Sequence, residues 1–160
     1  CPYLTYCNLI WGRAANVHLK RIHLLQKRVI RFIYNTGYKE HTDQLFAQSK
    51  ILTIYQLHCY LICLFMYSYK NNLLPNIFDD MFTSNVNIHK HSTRQSNKYH
   101  VPRCRTSARQ KSLFYSGVIH YNAILSSDKY TFNECYNKQS VKKLLKHLLL
   151  NDDTIVSILG

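Results

Sequence analysis

Glycine, proline and acidic residues are scarce in this sequence, and their scarcity excludes several classes of protein. Four Gly and three Pro occur in 160 residues, so few tight turns are specified. The spacing of apolar residues between them is helical rather than strand-like. Only eight residues are acidic. Because metal-dependent phosphoryl transfer needs two or three convergent carboxylates, this shortage argues against such chemistry.

The few acidic residues include two adjacent pairs, Asp79-Asp80 and Asp152-Asp153. Polymerase sites often place an aromatic residue, a spacer and two aspartates at a strand turn. Here Phe78 directly abuts Asp79, the segment after Pro75 has the pattern of a helical turn, and no third carboxylate has a comparable setting. We therefore predict no catalytic residues and interpret the first pair as a solvated helix face.

Motifs for other site chemistry are also missing from the sequence. It contains no nucleophile elbow and no glycine-rich phosphate loop. Cys59 and Cys63 lie one helical turn apart beside His58, but structural zinc sites combine two ligand pairs, usually Cys-x2-Cys, and no second pair at that spacing exists. His89 and His91 with Cys104 are interpreted as solvated residues of a loop. We predict no metal site and no cofactor, and interpret the two cysteines as core thiols.

The six cysteines are expected to be reduced. The apolar content makes disulfides unnecessary, and no signal peptide precedes the first residue. These features predict an intracellular protein of the nucleus and cytoplasm. The chain opens on Cys1 rather than Met, which indicates a fragment whose upstream part is missing.

What the sequence has in excess is positive charge. Twenty-one Lys and Arg face eight acidic residues, a net charge of +13. Like charges at this density repel one another, and a polyanion relieves that repulsion by supplying counter-charge. The expected partner is therefore nucleic acid or an anionic membrane surface. An inert basic surface is the alternative.

A basic amphipathic helix is predicted from Asn16 to Tyr34, and Asn35 to Gly37 supply its stop. Gly12 before it can end a short aromatic stretch in a helix-terminating conformation. Apolar residues of the helix share one arc, and basic residues share the opposite arc. The apolar arc contains Leu19, Ile22, Leu25, Val29, Ile30 and Ile33, and the basic arc contains Lys20, Arg21, Lys27, Arg28 and Arg31.

A second helix, from Ile51 to Tyr69, is apolar on nearly every side. A membrane span needs about 20 uninterrupted apolar residues. This run is interrupted by Thr53, Gln56 and His58, and Lys50 and Lys70 flank it. We predict a central core helix and no membrane span.

The remainder divides into a polar arm and a C-terminal part. The arm, residues 83–111, carries Lys90, Arg94, Lys98, Arg103, Arg105, Arg109 and Lys111 between His89, His91, Tyr99 and His100. Its cations suit phosphates, and its rings suit stacking on unpaired bases. From Lys111 to Leu125 we predict a short strand turning into a short helix around Ile119 to Ile124. Ser140 to Leu150 is predicted as an amphipathic helix capped by Ser140.

The predicted fold class is mainly α: an irregular helical bundle with a long polar loop and at most a short strand or hairpin. Three segments are expected. Residues 1–82 form a helical core segment, residues 83–111 the basic polar arm, and residues 112–160 a short strand and helix followed by the C-terminal amphipathic helix.

Short motifs in a fixed order carry a family resemblance. They are Pro2-Tyr3-Leu4, Tyr6-Cys7, Trp11-Gly12, Leu24 to Arg28, Arg31, His41-Thr42, Leu45-Phe46, Phe65-Met66-Tyr67, Leu74-Pro75, Phe78, Phe82, Asn85, His89, Thr93-Arg94, Pro102, Arg105-Thr106, Ser112, Gly117 and Asn122. This order resembles the stretch that follows the thumb in reverse transcriptases of jockey-like, LINE-type non-LTR retrotransposons. The family's Gly-Pro and Trp-Asn are replaced here by Gly117-Val118 and Tyr121-Asn122, a departure that fits a decayed copy.

The resemblance implies a parent RNA-directed DNA polymerase, using Mg²⁺, that copies its RNA at a nicked chromosomal site. This segment would lie beyond the polymerase core and hold template RNA or target DNA. From charge and placement we predict Lys27, Arg28, Arg31, Arg94, Arg103 and Arg105 as phosphate contacts and Tyr99 as a stacking residue. Arg94 and Arg105 have a structural alternative, pairing with backbone carbonyls or an acid.

Two other functions stay open at this point. The chain can instead be a structural segment that packs on the polymerase thumb, in which case its apolar faces are exposed when it stands alone. It can also be a basic membrane-surface protein, which requires a large exposed apolar stripe edged by Trp or Phe.

Overall fold

The computed structural model describes residues 2–88, 94–126 and 137–151. In chain order the helices are α1 (Pro2–Thr5), α2 (Asn8–Trp11), α3 (Asn16–Tyr34), α4 (Asp43–Ser49), α5 (Ile54–Lys70), a 3₁₀ helix (Asn76–Phe78), α6 (Asn85–Ile88), α7 (Ser107–Lys111), α8 (Leu113–Ser126) and α9 (Lys138–Asn151). These ranges contain no strand, and Ser84 and Tyr99 form an isolated antiparallel bridge. The predicted mainly α bundle is confirmed.

Helix α5 is the centre of the bundle, as predicted, and α8, α9 and α2 pack around it. Along one side Ile62 and Met66 meet Val118 and Tyr121 of α8. Along another, Cys63 and Tyr67 meet Val141 and Leu145 of α9. Within the described ranges no single helix is long and apolar enough to cross a bilayer; α4 and α5 pass that test only as a pair bent by 44°.

Hydrogen bonds fix the start of α5 against its neighbours. Thr53 and Gln56 form a capping box, in which each side chain bonds the other residue's backbone. The buried Gln56 amide also donates to Leu149 O of α9 at 2.7 Å. Gln26 of α3 accepts from Ile54 N at 2.9 Å. The N-terminus of α5 is therefore tied to both α3 and α9.

Helix α3 has the predicted bounds, and Asn35 ends it with a left-handed φ of 49°. Its predicted burial is wrong in part. Leu19 and Ile30 are buried, whereas Leu25, Val29 and Ile33 are 57%, 58% and 62% exposed, and Phe32 beside them is 88% exposed. Helix α3 packs on α4 and α5 along a narrow contact, which leaves half of the predicted apolar arc facing solvent.

The strand predicted after Lys111 is wrong, because Leu113–Ser126 is one continuous helix. Gly117, which suggested a turn, lies inside this helix. A Cβ placed on it would be 3.2 Å from Met66 Sδ, so the glycine permits close approach of α8 to α5. Ser140 is not the cap of α9 either. The helix begins at Lys138, and the Asn137 side chain accepts from Gln139 N at 3.0 Å.

The described part of the arm is closed by hydrogen bonds between its own two sides, and Tyr99 attaches it to α8 through Asn122. It contains α6 and α7, and Asn85 N and His100 N donate to Lys98 O and Thr83 O across the Ser84–Tyr99 bridge. The predicted arm residues His89, Lys90 and His91, the resemblance residue Thr93, and the pair Asp152-Asp153 lie outside the described residues.

Candidate nucleic-acid interface

The exposed cations of α3 form one arc of the helix. Lys20, Arg21 and Arg28 are exposed, and Lys27 is half-buried beside His23. Burial, and then the Lys27 charge, lower the pKa of His23. Helix α3 contains no acidic residue. Its basic arc therefore has no counter-charge on its own helix.

Arg31 has a structural role in addition to its charge. Its Nε and Nη2 both donate to Glu40 O, at 3.1 and 2.8 Å, and its guanidinium lies 5.8 Å from the centre of the Tyr38 ring. This fork closes the turn between α3 and α4. Part of its donor set is thus already used, and its predicted phosphate contact remains a prediction.

The arginines of the arm are solvent-exposed. Arg94, Arg103 and Arg105 form no hydrogen bond or ion pair with other parts of the described chain. The pairing with a backbone carbonyl that was the alternative for Arg94 and Arg105 is made by Arg31 instead. The arm arginines have the freedom that a phosphate contact needs.

Tyr99 is an anchor of the arm rather than a free ring. Its ring centre lies 5.8 Å from that of Tyr69, 6.0 Å from that of Phe82 and 5.6 Å from that of Tyr121. The Asn122 side chain accepts a hydrogen bond from the backbone N of Tyr99 at 3.1 Å and donates one to the backbone O of Tyr99 at 2.8 Å. Burial raises the pKa of its hydroxyl. Tyr99 is part-exposed and lines a depression together with Arg94, and its predicted stacking on a base stays a prediction.

Cations from different elements meet at two depressions beside α3. The first, which we call the α3–α9 hollow, has a volume of about 330 Å³ and is lined by Lys50 after α4, Lys146 of α9 and Gln26 of α3. It joins the basic side of α9 to α3. The predicted contacts did not include Lys50 or Lys146.

The second depression, the α3 cavity, has a volume of about 380 Å³ and lies at the start of α3. Arg13 before α3 and Lys111 at the end of α7 both line it, so the basic end of the arm meets α3 here. His58 and His120 contribute buried walls. Arg13 was missed by sequence reasoning, although a cation just before a predicted helix is a recognisable signal for anion binding.

The two buried histidines are neutral. Burial, followed by the Arg13 charge, lowers the pKa of His58 to about 4. Burial also lowers the pKa of His120 to about 4, against the raising effect of its bond to Ser116 O. The cavity therefore has no charge from its histidines at neutral pH, and its positive charge comes from Arg13 and Lys111.

The described ranges contain no metal-binding cluster and no disulfide. No group of three or more His, Cys, Asp or Glu side chains there is placed to hold a metal ion. Cys7, Cys59, Cys63 and Cys104 are unpaired, and burial raises the pKa of Cys59 to about 11. Cys59 and Cys63 are buried core thiols, as predicted. Asp79 and Asp80 are exposed.

Comparison with known proteins adds no relative. No protein-family model matches the chain, and neither a curated protein nor a solved structure matches it.

Proposed function

We propose that this chain is the segment following the polymerase core in a non-LTR retrotransposon reverse transcriptase, and that it binds RNA or nicked DNA through its basic surfaces. The family assignment rests on the order of motifs in the sequence. The binding proposal rests on one structural observation: Lys50 and Lys146 share one hollow beside α3, and Arg13 and Lys111 share the other. Cations far apart in sequence thus converge around one basic helix.

Phosphate neutralisation is the mechanism of binding. Lys27 and Arg28 on α3, with Arg94, Arg103 and Arg105 on the arm, contact successive phosphates of a strand. Each contact releases condensed counterions, so affinity falls as salt rises. Arg31 and Tyr99 support the surface by closing the α3–α4 turn and by anchoring the arm.

Matched charge variants test the binding proposal. Two double variants, Lys27→Gln/Arg28→Gln and Arg103→Gln/Arg105→Gln, are each titrated with single-stranded RNA and nicked duplex. The control, Lys39→Gln/Lys138→Gln, removes the same charge at exposed positions that are not among the predicted phosphate contacts and line neither depression. Each test variant should reduce the salt slope by about 1.4 on the single strand and about 1.8 on the duplex, the sum of two phosphate contacts. Equal slopes for test and control variants would show that these side chains do not contact phosphate.

The family assignment has its own test. The coding sequence immediately upstream of Cys1 should contain an open frame with an aromatic-x-Asp-Asp turn. An upstream frame without polymerase motifs would contradict the assignment. Incorporation of nucleotides by the isolated segment would contradict our interpretation of its acidic residues.

One observation favours a second candidate function, packing on the polymerase domain. Leu25, Val29, Phe32 and Ile33 share one face of α3 and are largely exposed. A segment that packs on the polymerase in its parent polypeptide exposes an apolar face of this kind when it stands alone. If it packs on the polymerase, the dye ANS should bind the segment alone and be released when the upstream domain is added. Sedimentation with anionic liposomes instead, abolished by Phe32→Ser, would indicate the membrane-surface alternative.

A further inference from the structure

Helix α3 has a row of exposed apolar side chains beside its contact with the core. Ile22, Leu25, Val29 and Phe32 are spaced three, four and three residues apart, which is the alternation that places side chains on one seam of a coiled-coil helix. Ile22 is half-buried, and Leu25, Val29 and Phe32 are 57%, 58% and 88% exposed. We call these four residues the α3 seam. Contiguous exposed apolar side chains mark an interaction surface.

The α3 seam has the dimensions of a contact with one helix. A rise of about 1.5 Å per residue gives it a length of about 15 Å from Ile22 to Phe32, or three turns. A row with this spacing is narrower than the apolar face with which a helix lies in a membrane surface. The same spacing provides the holes into which side chains of a second helix insert. The shape of the seam therefore favours a helical partner over a bilayer.

The two edges of the α3 seam differ in what they face. One edge adjoins the side of α3 that packs on α4 and α5. The other edge carries Arg21 and Arg28, which lie one helical turn before Leu25 and Phe32 and seven residues from each other. Both arginines are exposed, and neither forms a hydrogen bond or an ion pair with the described residues. The edge that is open to a partner is therefore positive.

Charge distinguishes between possible occupants of the seam. Helix α3 contains five Lys and Arg and no acidic residue, and the whole chain has a net charge of +13. A second copy on the seam would bring two such helices side by side, and their like charges would repel each other. A helix with Glu or Asp at its flanking positions would instead pair its carboxylates with Arg21 and Arg28 while covering the same apolar row. The charges therefore favour an acidic helix over a second copy.

We propose that the α3 seam binds one amphipathic helix of a partner, with apolar residues at heptad spacing and Glu or Asp at the flanking positions. Burial of the seam drives the contact, and Arg21 and Arg28 select the acidic partner. This inference goes beyond nucleic-acid binding, and it names the partner chemistry that packing on the polymerase domain leaves open. Arg28 is shared with the predicted phosphate contacts, whereas Arg21 belongs to the seam edge alone.

Synthetic helices test this partner chemistry on the 160-residue chain. The probe is a fluorescent peptide of about four heptads, with Ile and Leu on its seam and Glu at the flanking positions. One control peptide has Lys at the flanking positions, and a second has the composition of the probe in scrambled order. In anisotropy titrations the probe should bind at least about tenfold more tightly than either control, because burial of one Leu or Phe side chain is sufficient for that ratio. The scrambled peptide separates docking from general attraction to a basic chain.

Two matched variants locate the contact on α3. Leu25→Ser/Phe32→Ser should abolish the preference for the probe over the scrambled peptide. The control, Tyr3→Ser/Ile77→Ser, removes side chains outside α3 that are 86% and 87% exposed, and it should retain the preference. Because the replaced side chains are largely exposed in both variants, each should unfold at about the same urea concentration as the unmodified chain. Loss of binding in the first variant is then not a consequence of unfolding.

Charge reversal tests the positive edge of the seam. Arg21→Glu/Arg28→Glu should invert the choice of peptide, so that the Lys peptide binds more tightly than the Glu probe. Lys39→Glu/Lys138→Glu makes the same change in net charge away from the seam and should still prefer the Glu probe. The same choice of peptide in both variants would show that Arg21 and Arg28 do not select the partner.

Three results would overturn the proposal. They are equal affinities for the probe and the scrambled peptide, dimers in sedimentation velocity that Leu25→Ser/Phe32→Ser removes, and binding to anionic vesicles without any peptide preference. The second result would assign the seam to another copy of the chain, and the third would assign it to a membrane.

Failure of this inference is separable from failure of the proposed function. Leu25→Ser/Phe32→Ser should leave the salt slope of RNA binding unchanged, because neither side chain is charged. Peptide docking without RNA binding would leave the inference standing and overturn the nucleic-acid function. RNA binding without a peptide preference would overturn the inference and leave the nucleic-acid function standing.

Discussion

Substituting Gly12 by alanine is the sharpest test of the packing beside the α3 cavity. Gly12 has φ −64°, a value that any residue adopts, so alanine brings no backbone strain. Its added Cβ would lie 2.1 Å from His58 Nδ1 and 2.6 Å from Asn8 O. Either the imidazole or the end of α2 must move. The role expected for Gly12 from the sequence, a helix-terminating conformation, is thus replaced by close packing.

The magnitude follows from three contributions. Overpacking costs about 1–3 kcal/mol. Displacing His58 breaks its bond to Asn8, at about 0.5–1.5 kcal/mol. Replacing glycine by alanine lowers the conformational entropy of the unfolded chain, which stabilises the folded state by about 0.4–1 kcal/mol. The expected net loss in the free energy of unfolding is about 0.5–4 kcal/mol, which for a chain of this size lowers the thermal midpoint by several degrees.

Urea denaturation followed by circular dichroism measures this loss. The control is Gly37→Ala, whose Cβ has only Glu40 atoms nearby, at 3.8 Å. Gly37 has no positive φ either, so the control should be neutral or slightly stabilising. If Gly12→Ala unfolds at the same urea concentration as Gly37→Ala, the contact between the α2–α3 loop and His58 is wrong.

Three further predictions concern buried polar groups. Gln56→Leu should cost about 1–3 kcal/mol in urea denaturation, because a carbonyl of α9 loses its donor, whereas Gln44→Leu on the exposed side of α4 should cost less than about 0.5 kcal/mol. Because the folded pKa values of His58 and His120, about 4, lie below the unfolded value of 6.5, stability should be complete above pH 6.5 and decline as pH falls toward 4; unfolding free energies equal at pH 7 and pH 5 would contradict this. Arg31→Lys should cost about 0.5–1.5 kcal/mol through loss of its two-pronged bond, measurable against the same change at an exposed α3 arginine.

Local patterns were sufficient to predict the principal helices. The helical period and the Asn35 stop predicted α3, and the apolar run predicted α5. The pattern failed at α8, where Gly117 suggested a break. In the fold this glycine instead admits Met66 of α5, a contact between segments far apart in sequence. A residue's local preference does not reveal what packs against it.

The site was less predictable than the fold because it depends on pairings between distant segments. The periodicity of α3 separates apolar from basic residues, but it does not specify which apolar residues find a partner, and Leu25 and Phe32 remain exposed. The charge pattern predicted Arg31 as a site residue but did not predict its two hydrogen bonds to Glu40 O. Arg13 and Lys111 are brought to one cavity by the packing of α7 on α8 and of α8 on α5.

The most direct test of the account is the salt dependence of RNA binding by the unmodified chain. The four cations of the two depressions, Arg13, Lys50, Lys111 and Lys146, are sufficient for a slope of log affinity against log salt of about −3 on a single strand. A slope of that size or steeper is the predicted result. Affinity that is independent of salt would contradict the claim that these side chains converge to bind phosphate.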